Sequence, residues 1–191
     1  MLLALLIIGI IFSRRYLHDT IKNKQLVRGA LLIAIGLLLP YLFHGIKNAG
    51  SIFLPMHIPI LMGGFILNPY FALSVGVLTP LLSHLFTGMP PFPFVYVMIV
   101  ELLTYGVVIS ILYNKKKIGI YPSLIIGMVS GRLVNIICNY LVLHLIMAKP
   151  FKFLVILAGL FVKGLPGIII QLILIPILVK ALGKVELGKA V

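Results

Sequence analysis

Apolar runs of membrane-crossing length dominate this chain and leave few residues for anything else. Six of them follow one another, over Val27 to His44, Phe53 to Leu67, Tyr70 to Phe86, Phe94 to Tyr113, Tyr121 to Met147 and Gly164 to Leu182. A helix needs roughly 20 mainly apolar residues to cross ~30 Å of hydrocarbon, so a chain of this length holds about six crossings and no second domain. A mean hydropathy of +1.24 excludes an ordinary soluble fold. The expected fold is therefore an all-α integral membrane protein with six transmembrane helices between residues 26 and 183. Turn chemistry marks its connections: Lys47-Asn48-Ala49-Gly50-Ser51, Asn68-Pro69, Gly88-Met89-Pro90-Pro91, Asn114 before three lysines, and Lys149-Pro150.

Two apolar stretches are too short to count as crossings. Met1 to Phe12 spans about 18 Å as a helix and is followed by Ser13, Arg14 and Arg15. It has neither the basic start nor the small-residue cleavage site of a secretory signal. Residues 1–25 are read as an apolar, then basic, extension that lies at the interface or inserts partly, a seventh crossing being the alternative. Phe151 to Val162, flanked by lysines, reads as a re-entrant or interfacial helix leading into the last crossing. Residues 184–191 form a short tail.

The formal charge of +13 is spread in small groups between the apolar runs, which points to membrane topology and away from nucleic acid. With the first crossing running outward, Arg14, Arg15, Lys22, Lys24, Arg28, Lys115, Lys116, Lys117, Lys180, Lys184 and Lys189 fall inside. Only Lys47, Lys149, Lys152 and Lys163 fall outside. The bias of short loops toward inward lysine and arginine predicts cytoplasmic N- and C-termini. The lone Cys138 lies in an apolar run and reads as a small packing residue.

That orientation gathers polar and aromatic side chains at the outer helix ends. Tyr41 and His44 close the first crossing, Met56 and His57 open the second, and Ser83, His84 and Thr87 close the third. Phe94, Met98 and Glu101 share one face of the fourth, being four and then three residues apart. Asn135, Asn139 and His144 leave the fifth, and Gly164, Gly167 and Gln171 enter the sixth. Together they describe a small-molecule pocket, apolar and aromatic with a few orienting polar groups. The inner half is plainer, with Ala30 and Ala34 spaced to admit another helix.

Glu101 is the sole acid within a crossing and so a functional candidate by default. Three readings stay open: ligand contact, an ion pair with Arg132, or a protonated carboxyl. Arg132 belongs either to that pair or to a packing stripe through Met128, Arg132, Asn135 and Asn139. His44, His57 and His84 are metal-ligand types, but without a paired spacing such as H-x-x-x-H they read as hydrogen-bonding or packing groups, and no metal or other cofactor is expected. No G-x-S-x-G, H-E-x-x-H or Walker A loop occurs, and no inverted repeat is visible. A membrane-embedded enzyme acting on lipid or peptide is the alternative to a transport subunit.

Several short stretches are shared with a known family. They are Ala30-Leu-Leu-Ile-Ala34, Phe53-Leu-Pro-Met-His-Ile-Pro59 with Gly63-Gly-Phe65, Val77-Leu-Thr-Pro-Leu-Leu-Ser83, Thr87-Gly-Met-Pro90, Glu101-Leu-Leu-Thr-Tyr-Gly106, Gly164-Leu-Pro-Gly167 and Gln171-Leu-Ile-Leu-Ile-Pro176. In their joint occurrence the chain resembles the S components, the substrate-binding membrane subunits of energy-coupling factor (ECF) transporters for vitamins in bacteria and archaea. The likeness covers most of residues 26–183; Met1 to Tyr16 lies outside it. The resemblance implies a non-catalytic six-helix protein of the bacterial plasma membrane that captures its ligand on the outer side. It further implies docking, with Ala30 and Ala34 at the contact, on a transmembrane scaffold subunit driven by two separate ATPase subunits. Delivery would follow by toppling of the whole subunit in the bilayer. Ligand contacts are expected from Tyr41, His44, His57, His84, Phe94, Met98, Glu101, Asn135, Asn139 and Gln171. These suit a small flat heteroaromatic molecule, and the branch most resembled is associated with dimethylbenzimidazole-type precursors of the cobalamin lower ligand. Glu101 would then accept a ring N–H. Pantothenate is the rival and would need Lys47, Lys163 or Arg132 as its main contact.

Overall fold

The computed structural model describes residues 2–42, 49–148 and 152–188, and all regular structure among them is helical. The helices are α1 (Leu2–Leu42), α2 (Ala49–Phe53), α3 (His57–Ile66), α4 (Pro69–Thr87), α5 (Phe94–Ser110), α6 (Ile120–Leu141), α7 (Phe153–Leu157) and α8 (Leu165–Gly188). Wide π-helical turns extend α5 over Ile111–Lys115, α6 over Val142–Ile146 and α7 over Ala158–Lys163.

Five segments are long and apolar enough to cross a membrane: Lys22–Leu42, Pro69–Thr87, Phe94–Lys115, Ile120–His144 and Leu165–Gly183. The expected second crossing takes a different form. Gly50–Ile66 is a shorter apolar segment broken between α2 and α3 at Leu54, whose φ of 51° lies in the left-handed region. Pro55 favours this break, because proline disfavours helical backbone in the residue before it. Polar backbone freed at membrane depth is tolerated where it is buried in protein or lines a cavity. Both conditions hold: Leu54, Pro55 and Met56 are buried and line the cavity described below. The Leu54 carbonyl accepts hydrogen bonds from the His57 backbone N–H at 3.0 Å and from Gln171 Nε2 of α8 at 3.4 Å.

At the other end of the chain, α1 continues unbroken through Phe12 to Arg15. No proline or glycine occurs between Ile10 and Arg28 to stop it. The segment Phe153–Lys163 forms a short, largely exposed helical stretch leading into α8.

Helix α5 is the hub, packing against α3, α4 and α6. Small residues set how closely its neighbours approach. A Cβ at Gly76 of α4 would sit 2.6 Å from the Leu103 Cα, and one at Gly106 of α5 would sit 2.9 Å from the Ala72 carbonyl oxygen. Helix α4 has well-defined ends: Asn68 caps it by accepting the Phe71 N–H at 3.1 Å, and Gly88 ends it in the left-handed conformation. Tyr105, Leu102 and Ile109 of α5 pack with Ile60, Leu61 and Leu124 in the buried core.

Gly76→Ala is expected to lower the midpoint of thermal unfolding of the purified chain, because backbone cannot yield and overpacking costs about 1–3 kcal/mol. Gly183→Ala, with nothing within 4 Å of the new methyl group, is expected to be neutral or to stabilise by about 0.5–1 kcal/mol. Equal effects at the two positions would contradict the close α4–α5 approach.

Candidate functional site

Where α1, the α2–α3 break, α5 and α6 converge, they enclose a cavity of about 490 Å³. Its walls are mostly apolar: Leu37 and Pro40 from α1, Leu54, Pro55 and Met56 from the break, and Phe94, Val97 and Met98 from α5. Leu160 and the Met89-Pro90-Pro91 segment complete them. The charged, imidazole and amide side chains form one cluster, made by His57, Glu101, Arg132, Asn135 and Asn139, and the hydroxyls of Tyr41, Ser51, Ser83 and Thr87 belong to the lining as well.

Glu101 is the centre of that cluster and is only 3% exposed. Arg132 Nη1 lies 3.2 Å from its Oε1, the hydroxyl of Tyr105 donates to the same oxygen at 2.5 Å, and Asn135 Nδ2 donates to Oε2 at 2.6 Å. Asn139 donates in turn to Asn135 Oδ1 at 2.6 Å, so the amide of Asn135 is held with its nitrogen toward the carboxylate. A charge removed from water is tolerable only when paired and hydrogen-bonded, and Glu101 has both kinds of partner. Helix spacing explains the arrangement, since Glu101 and Tyr105 are one turn apart on α5, as are Arg132, Asn135 and Asn139 on α6. Gly131 lets the two helices meet here, because any side chain at that position would strike the Tyr105 ring.

His57 stands differently. Its Nε2 is 3.8 Å from Glu101 Oε1 and its ring lies 5.7 Å from that of Tyr105. Neither ring nitrogen has a hydrogen-bond partner among the described residues, although His57 is only 4% exposed. A buried polar group without a partner costs free energy that a bound molecule can recover. An imidazole can either donate or accept according to its tautomer.

The mouth is shaped by the end of α4. His84 Nδ1 is 2.7 Å from the Pro90 carbonyl and therefore carries the proton, since a carbonyl only accepts. Ser83 Oγ donates to the Met89 carbonyl at 2.9 Å, and Thr87 Oγ1 donates to the Ser83 carbonyl while accepting the Met89 N–H. These bonds fold the α4–α5 connection over the cavity.

Of the residues expected from sequence, Tyr41, His57, Phe94, Met98, Glu101, Asn135 and Asn139 line this cavity. Two do not. His84 holds the connection at the mouth, and Gln171 is buried at 1% exposure, clamping the Leu54 carbonyl from outside the cavity. His44 lies outside the described residues. Among the readings left open for Glu101 and Arg132, the ion pair is the one formed, and both residues also line the cavity. Tyr105 is not among the residues expected from sequence, and the signal for it is its place one turn after Glu101. Ala30 and Ala34 are exposed on α1, away from the cavity. No three His, Cys, Asp or Glu side chains come together as metal ligands among the described residues.

Sequence comparison agrees with this architecture. The family model for the substrate-specific component of ECF transporters matches residues 24–179. No curated protein matches the chain. With most of its length covered, this multi-pass membrane protein belongs to the ECF substrate-specific components and is a transport subunit.

Two hydroxyls on α5 test the cluster. Tyr105→Phe removes a donor to a buried carboxylate and is expected to destabilise by about 1.5–3 kcal/mol, read as a lower thermal midpoint. Thr104→Val removes a hydroxyl that bonds only its own helix, at the Val100 carbonyl, and is expected to change little. A Tyr105→Phe midpoint matching that of Thr104→Val would mean that the carboxylate does not depend on this donor.

Proposed function

We propose that this chain captures a small, flat, uncharged nitrogen heteroaromatic of the vitamin or vitamin-precursor class, and that the cavity beside Glu101 is where it binds. A dimethylbenzimidazole-type precursor of the cobalamin lower ligand is the specific member that the family branch suggests. The subunit faces outward in a bacterial plasma membrane with its basic ends cytoplasmic, and passes the ligand on in complex with a scaffold subunit and two ATPases. Ala30 and Ala34 serve as the scaffold contact.

The observation that supports this choice of ligand is the Glu101–Arg132 pair at 3.2 Å. Among the described residues it neutralises the only cation of the cavity lining, so a carboxylate ligand such as pantothenate would meet no uncompensated positive charge from them. Of the other cations that such a ligand would need, Lys163 is exposed and does not line the cavity, and Lys47 lies outside the described residues. An uncharged ring suits such a site better. Phe94, Met56 and Met98 offer it aromatic and polarisable contacts. His57 is the direct polar partner in this reading, because neither of its nitrogens has a hydrogen-bond partner among the described residues and an azole ring carries both a donor and an acceptor. Glu101, already receiving Tyr105 and Asn135, orients the cluster and has lone-pair capacity left for one ring N–H. About 490 Å³ lies within the usual range for small-molecule sites.

Mass spectrometry of small molecules retained by the purified chain tests this reading. A neutral heteroaromatic is expected, together with at least roughly tenfold weaker binding in His57→Leu, the loss typical of one directed hydrogen bond to a buried partner. Retention of a carboxylated ligand, or unchanged affinity in His57→Leu, would refute it.

A further inference from the structure

Among the described residues, three buried side-chain nitrogens have no hydrogen-bond partner: His57 Nδ1, His57 Nε2 and Arg132 Nε. All three belong to residues that line the cavity beside Glu101. Buried polar groups are satisfied in the great majority of cases, so orphans gathered on one cavity wall mark where a ligand completes the bonding. His57 is the ligand's polar partner in the reading above, and Arg132 is the partner of Glu101.

A guanidinium does more than carry charge. It is planar and holds five N–H donors in fixed directions, with no acceptor. Glu101 Oε1 meets it at Nη1, 3.2 Å away, and the group reaches on toward α8, where Nη2 lies 3.7 Å from the position that a Cβ on Gly164 would take. Neither contact engages the Nε–H, and the rigid plane prevents it from turning elsewhere on its own. With Arg132 only 4% exposed, that donor is removed from bulk solvent. The ion pair thus cancels the charge of Arg132 and leaves one of its donors unused, which suits an uncharged acceptor. His57 lies close by, its Nε2 being 3.8 Å from the same Glu101 oxygen. With both orphan groups arranged around one atom, a single small ring reaches both. The two are not equivalent, because Arg132 can only donate while an imidazole can donate or accept.

We propose that Arg132 is a specificity-determining ligand contact, its Nε–H donating to an uncharged acceptor of the bound heteroaromatic while the ring N–H turns to the His57 side of the cluster. This assignment rests on the ligand reading above and adds a direction to it. A ring with an N–H but no acceptor leaves the Arg132 donor unpaired, and a site built to bond a polar group rejects the analogue that lacks it.

Calorimetry of the purified full chain with dimethylbenzimidazole and with dimethylindole, which has C–H in place of the acceptor nitrogen, tests the assignment. Dimethylindole is expected to bind at least roughly tenfold more weakly, the loss of one hydrogen bond to a charged donor. Combining Glu101→Gln with Arg132→Met removes the donor without stranding a buried charge, and the preference should then fall to about twofold or less. A second measurement needs no substitution: in spectra of the unaltered chain carrying isotope-labelled arginine, one Nε proton should move downfield with dimethylbenzimidazole and not with dimethylindole. Equal affinity for the two rings, a preference that survives the combined substitution, or an Nε proton that responds alike to both rings would overturn the assignment and leave the Nε–H to a bound water. Failure of both rings to bind the unaltered chain is a different result, which refutes the ligand reading and this assignment with it.

Discussion

The ion pair between Glu101 and Arg132 is the constraint around which the rest is arranged. A carboxylate and a guanidinium at membrane depth are each expensive, and removing one partner from a buried pair leaves a charge that costs about 3–5 kcal/mol. The pair therefore fixes α5 against α6 in register. Tyr105 and Asn135 complete the carboxylate's hydrogen bonds, and Gly131 provides the space in which the Tyr105 ring can do so. Such a network gathers the charged side chains of the described cavity lining at one point without a net charge of its own.

A second constraint is the broken helix. A continuous second crossing would satisfy its own backbone and carry His57 wherever helical phase took it. The left-handed Leu54 followed by Pro55 instead turns the chain so that α3 begins at His57, beside Glu101. Gln171 and Gly167 of α8 hold that break from behind, the first through the Leu54 carbonyl, the second by allowing close approach to the Phe53 carbonyl. The last helix thus shapes the cavity without lining it.

Much of this was legible in the residue order, and the exceptions have physical causes. Hydropathy periods and the Asn68, Gly88 and Asn114 boundaries mark the long helices correctly, because a membrane span admits few alternatives to a continuous apolar helix. The same rule misleads at Gly50–Ile66, where protein rather than lipid surrounds the backbone and a break is permitted. Seven of the ten proposed ligand contacts line one cavity, since helical phase and a common end are enough to bring them together. His84 and Gln171 share the phase and the end, but their side chains are taken by backbone carbonyls at 2.7 and 3.4 Å, and nothing in spacing distinguishes a side chain that clamps a loop from one that faces a ligand. The pairing of Glu101 with Arg132 was one of several options, as it depends on the relative height of two helices and not on either alone.

A double-mutant cycle at the ion pair, with Glu101→Gln, Arg132→Gln and the combined variant compared by thermal unfolding without ligand, tests the central claim. Each single change is expected to destabilise strongly and the double change much less than their sum, with a coupling of about 0.5–3 kcal/mol. Additive losses, or a single change without effect, would mean that the two charges do not depend on each other and that the cavity is organised in some other way.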